Sequence, residues 1–209
     1  LKKRKISKEA INKLIENGYD LEKVKEVVKE LRDKGVPAKV IDDLGKKGYS
    51  LKEISALQYL KGNIDFKDIE KLSSIKNPDN PSQYVLQKAL RDIAKTDEKA
   101  NDIAFELKTA SRLMDKGEKV IKFSMNEKGK EIDVLTDKAV FECKNVGKDT
   151  SREAIEYQIS KIKNQYNKLP ESLKSEKEFI PVFPKNAIKN MNNRYPEWKK
   201  ELKNIGIKR

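Results

Sequence analysis

Histidine is missing from all 209 residues. That single absence removes histidine general bases, Ser-His-Asp triads, histidine-ligated nuclease sites and Cys/His zinc sites. Cysteine occurs once, as Cys143, so no internal disulfide is possible and folding does not depend on oxidation. No apolar run reaches membrane length and no secretory apolar core is present. An enzyme built from this chain must therefore work with carboxylates, lysine, tyrosine, serine or a hard metal ion.

What remains is rich in charge. Charged residues make up 39% of the chain and hydrophobic ones 36%, a solvated but foldable balance long enough for one or two domains. The net charge of +13 favours a polyanionic partner, either DNA, RNA or an acidic protein. The first residue is Leu1 rather than Met, which suits a fragment of a longer precursor or a trimmed chain.

Residues 1–80 read as an all-helical domain with a loose internal repeat. AINKLIENGYDLEKV and KVIDDLGKKGYSLKEI align Ile11 with Ile41, Leu14 with Leu44, Gly18 with Gly48, Tyr19 with Tyr49 and Leu21 with Leu51. Weaker echoes surround Gly35 and Gly62. Each unit reads as a helix stopped at glycine, then a Ser, Asp or Pro start, then another helix. Such helices bury little alone and are expected to stack as an array, serving as a delivery module or docking on nucleic acid. The opening LKKRK reads as a solvated arm. Two prolines and two asparagines in KNPDNPSQY, Lys76 to Tyr84, mark the expected linker.

Residues 90–209 change character. A helix is expected from about Asp97 to Lys116, with Ala100, Ile103, Ala104, Leu107, Ala110 and Met114 on one face. Strand-like runs follow at VIKFSM, EIDVLT and AVFECKN. A second helix starts near Thr150, where Thr150 and Glu153 offer a capping box, and its apolar stripe is Ile155, Ile159, Ile162, Tyr166 and Leu169. FIPVF suggests a fourth strand, and PEWKKELKN a last helix opened by Pro196. The order is α/β, with a small mixed sheet flanked by helices.

The charged strands hold the candidate site. A tight hairpin with Asp137 and Lys138 at its tip pairs Asp133 with Glu142 and Glu131 with Lys144, whereas a three-residue loop slips this register by one. Glu142 and Lys144 share one face, Phe141 and Cys143 the other. Like charges set opposite each other destabilise a sheet, and a divalent cation between them reverses that sign. The alternative is a salt-bridged surface hairpin. Two helical residues join the set: Glu106, inside the apolar arc of its helix and in need of a partner such as a metal or Lys144, and Gln158, beside the stripe of the next helix on the side of Gln165.

Glu106 on a helix, Asp133 on a strand, Glu142-Cys143-Lys144 on the next strand and Gln158 on a following helix resemble the PD-(D/E)xK nuclease superfamily, with its restriction-endonuclease-like fold. The resemblance covers roughly Asp97 to Ile207 and is carried chiefly by GKEIDVLTDKAVFECKN. The proline of the superfamily name is absent, Ile132 preceding Asp133. The resemblance implies a metal-dependent endonuclease acting on DNA or, as a close second, tRNA. Asp133, Glu142 and the Cys143 backbone carbonyl would hold Mg²⁺ (or Mn²⁺ or Zn²⁺), with Glu106 completing the site. Lys144 would position the attacking water and offset charge on the phosphate. A helical front and a small basic nuclease behind it also resemble the tail of a bacterial polymorphic or contact-dependent inhibition toxin. Such a tail is delivered into a target cell as part of a larger secreted or surface protein, acts in the cytoplasm, and is blocked by a cognate immunity protein. Two other readings stand beside it: a restriction- or repair-type DNA endonuclease that docks through the helical repeats, and a non-catalytic nucleic-acid-binding protein.

Overall fold

The computed structural model describes residues 6–127 and 130–207, so the LKKRK arm lies outside the described residues. The chain divides into two compact units, Leu1–Ser111 and Arg112–Arg209.

The first unit begins with α1 (Lys8–Glu16), α2 (Leu21–Asp33), α3 (Ala38–Lys46), α4 (Leu51–Ser55), α5 (Leu57–Leu60) and α6 (Phe66–Leu72). The punctuation is that expected from the repeat. Gly18 and Gly48 end α1 and α3 at φ of +90° and +80°, a conformation that side chains resist. Asp20 then accepts the Lys23 N–H, and Ser50 forms a capping box with Glu53. Leu14, Leu44 and Tyr49 are fully buried, whereas Ile11 and Tyr19 are half-buried and Leu21 is exposed, so the second copy of the repeat is core more fully than the first.

The expected linker is instead a two-stranded ribbon, β1 (Lys76–Asn77) and β2 (Asn80–Tyr84), so this unit is not purely helical. Long-range ring contacts hold it: Tyr84 stacks on Tyr49 with centroids 5.6 Å apart, and the Lys76 ammonium lies 3.8 Å from the Tyr84 ring. After it come α7 (Val85–Lys95), which packs on α4, and α8 (Ala100–Asp115). Most of α8 belongs to the first unit. Its Ser111 hydroxyl donates to Asp68 at 2.5 Å and accepts from Lys71 at 2.9 Å, and Asn101 accepts from Asn63 at 2.8 Å. The division thus falls inside α8, later than the composition shift at 76–84.

The second unit is mixed α/β. Strands β3 (Val120–Glu127), β4 (Lys130–Thr136), β5 (Ala139–Cys143) and β6 (Glu178–Val182) form one sheet in that order. The first three are antiparallel neighbours, and β6 runs parallel to β5. A parallel pair needs a long crossover. It is supplied by α9 (Arg152–Lys168) and α10 (Glu171–Glu176), and the unit closes with α11 (Lys185–Arg194) and α12 (Trp198–Asn204). The α9 stripe is buried as expected at Ile155, Ile159, Ile162 and Leu169, beside Leu135, Val140 and Phe179 of the sheet and Trp198 of α12. Each such aliphatic side chain contributes roughly 1.5–3 kcal/mol. The cap of α9 is Ser151, which accepts the Ala154 N–H, rather than Thr150, whose hydroxyl donates to the Gly147 carbonyl. Among the described residues, no helix is long and apolar enough to cross a membrane.

Candidate active site

The β4–β5 turn explains the site's geometry. The Thr136 hydroxyl accepts the N–H groups of Lys138 and Ala139 at 3.2 and 3.0 Å, closing a tip of two residues without the usual Asn-Gly pair. Leu135 then pairs with Val140 and Val134 with Phe141, and one further step sets Asp133 against Glu142, the expected register. Leu135 and Val140, next along the two strands, are buried with the apolar stripe of α9.

At Asp133 the backbone ladder gives way to a side chain. Asp133 Oδ2 accepts the Cys143 N–H at 2.6 Å. The N–H and carbonyl of one strand residue point to the same neighbour, so the Cys143 carbonyl is also directed toward β4. Lys144 donates through Nζ to Glu142 Oε1, and its own N–H bonds the Val182 carbonyl of β6 at 2.9 Å. Glu142 Oε2 is buried and has no hydrogen-bond partner among the described residues.

The electrostatics follow from burial and crowding. Asp133 is pushed up to about 7, first by burial and then by the charge of Glu142, against the pull of Lys144 and the Cys143 N–H. Glu142 is also raised, chiefly by burial, with Lys144 opposing and the exposed Glu131 adding to the rise. Burial works against the Lys144 charge, but Glu142 and Asp133 outweigh it and hold Lys144 above the ordinary lysine value. Two buried carboxylates thus lie within the field of one ammonium.

The helical contributors differ from the sequence expectation. On α9 it is Gln165, not Gln158, that reaches the site. Its amide donates to the Glu131 carbonyl at 2.8 Å and lies close enough to Glu142 to favour the charged form. Gln158 is half-buried two turns earlier on the same side of the helix. Glu106, also half-buried, stands on the part of α8 that belongs to the first unit, and the buried carboxylates among the described residues of the second unit are Asp133 and Glu142.

Two residues on β3 escaped the sequence reading. Lys122 is buried opposite Leu135, and Ser124 occupies the register position opposite Asp133 with φ of +48°, a strained value for serine. Their alternation with Ile121 and Phe123 was a signal that could have placed them on the carboxylate face.

Among the described residues, no group of three or more His, Cys, Asp or Glu side chains forms a ready metal cage. The donor set nevertheless fits a hard divalent cation: two adjacent carboxylates, one with an orphaned buried oxygen, and a carbonyl directed to the same side. Magnesium is commonly held by one or two carboxylates, with water completing its shell. Comparison with known protein families, with curated proteins and with solved structures gives no match to this chain.

Proposed function

We propose that the second unit is a metal-dependent nuclease of the PD-(D/E)xK type, with a restriction-endonuclease-like arrangement of its sheet and helices. The observation that carries this reading is the parting of β4 and β5 at Asp133 and Glu142, where one buried oxygen of Glu142 has no hydrogen-bond partner among the described residues. A surface hairpin would leave such charges in water, and a structural ion pair would satisfy both oxygens.

In this reading Asp133, Glu142 and the Cys143 carbonyl hold Mg²⁺, Mn²⁺ or Zn²⁺, which supplies Lewis acidity toward a phosphodiester. Lys144, half-buried and anchored by Glu142, would orient water and offset charge on the scissile phosphate. Gln165 fixes the β4 backbone against α9 and so sets the spacing of the carboxylates. The basic net charge suits DNA or tRNA as substrate. We read the whole chain as the effector region of an interbacterial toxin, delivered into the cytoplasm of a target cell and opposed by an immunity protein.

Purified chain incubated with plasmid and with total tRNA tests the nuclease reading. Cleavage is expected with Mg²⁺, Mn²⁺ or Zn²⁺, and none with EDTA or in Asp133→Ala. Binding without cleavage under every metal condition would instead favour a non-catalytic nucleic-acid-binding protein. Expression of the wild type should arrest growth, and Asp133→Ala should relieve the arrest.

A further inference from the structure

The largest exposed aromatic surface among the described residues of the second unit is Tyr157, 57% exposed on α9. It lies on one ridge with Lys161 and Gln165, since residues four apart on a helix stack one above another. The ridge therefore runs from open solvent at Tyr157, through Lys161, to the glutamine that touches the carboxylate site, over about 12 Å. The Lys161 ammonium lies 4.6 Å from the Tyr157 ring centroid and forms no ion pair among the described residues. Of the basic residues nearby on the chain, Arg152 pairs with Glu156 and Lys163 with Glu201. Ser160, Asn164 and Lys168 flank the ridge and are exposed.

We propose that this ridge is a guide for an unpaired nucleic-acid strand: Tyr157 stacks on a base, Lys161 contacts the adjoining phosphate, and the strand runs on toward Asp133, Glu142 and Lys144. The occupant follows from the chemistry. A flat aromatic face beside an unneutralised cation matches a base and its phosphate, and every base offers a π-face irrespective of sequence. A base inside a duplex has its faces covered by its neighbours, so the ridge selects unpaired nucleotides, whether in a DNA bubble or overhang or in an RNA loop. This deepens the nuclease reading and rests on it for the strand's destination, though not for its binding.

Fluorescence anisotropy in EDTA separates the two. Labelled single-stranded DNA and RNA oligonucleotides of one sequence, and the matching DNA duplex, are titrated with wild type, Tyr157→Ala, Tyr157→Phe and Lys161→Gln. Because Tyr157 is exposed, its variants keep the wild-type melting temperature. Tyr157→Ala is expected to weaken single-strand binding about tenfold and leave duplex binding unchanged, while Tyr157→Phe binds as wild type. Lys161→Gln lowers the salt dependence by about one phosphate contact. Equal affinity of Tyr157→Ala and wild type for single strands, or equal losses on duplex and single strand, overturns the guide. So does wild type that fails to bind either single strand. Loss of the guide with Asp133-dependent cleavage intact leaves the nuclease standing, and the reverse result removes the nuclease while keeping the binding ridge.

Discussion

Glu53 in the first unit and Glu142 in the second are both nearly removed from water, at 3% and 1% exposure. Their surroundings are opposite. Glu53 Oε1 accepts from Arg91 at 3.0 Å, and Oε2 accepts the Ser50 N–H at 2.8 Å, so both oxygens are spent on holding a helix start and a neighbouring helix. Glu142 gives one oxygen to Lys144, has no hydrogen-bond partner for the other among the described residues, and lies beside a second carboxylate. In the proposed reading this accounting, rather than burial, separates a glutamate that completes a fold from one that takes a ligand.

The sharpest way to break the contrast is to remove each group and read activity and stability together. Asp133→Ala and Lys144→Ala should each lower cleavage by about 100-fold or more per folded molecule, measured on plasmid in Mg²⁺. Glu53→Ala should do the converse. Cleavage per folded molecule stays, while urea unfolding shows a loss of about 1–3 kcal/mol from the missing cap and the unpaired Arg91. Glu142→Gln in EDTA should keep or raise stability because it removes one of two repelling charges. Glu142→Gln behaving like Glu53→Ala in EDTA would mean that Glu142 is also a structural residue.

Acidity provides a second probe. Asp133 titrates near 3.9 when unfolded and about 7 when folded, so between those values the folded chain holds more protons. Stability in EDTA should therefore fall as pH rises from about 4 to about 7 and level off above. Thermal melts across this range should show the slope in wild type and a weaker one in Asp133→Asn. A saturating divalent cation should restore stability near pH 7. An unchanged slope in Asp133→Asn would place the origin of the effect elsewhere.

The smallest effect is expected at Gln165. Gln165→Ala should weaken cleavage about tenfold through spacing, and a calorimetric titration should show weaker cation binding, while Gln158→Ala changes neither.

Local pattern made part of this site legible. The alternation in EIDVLT and AVFEC, with a tight tip, was enough to face Asp133 with Glu142, because strand parity is a short-range property. The α9 stripe was legible for the same reason. Which glutamine on that helix meets the site was not: Gln158 and Gln165 share a side but stand about 10 Å apart along the axis, and periodicity carries no information about height. The segment 76–84 read as a linker by composition. What orders it is Tyr84 against Tyr49, a partner thirty-five residues away that no local window contains.

The two-residue tip at Asp137 and Lys138 has a consequence for inheritance. Both side chains are exposed, so their identities are free to drift at modest cost. The count of residues is not. One codon gained or lost in the tip would turn Glu142 and Lys144 toward the side now taken by Phe141 and Cys143, inverting the strand. Length changes here should therefore be purged far more strictly than substitutions.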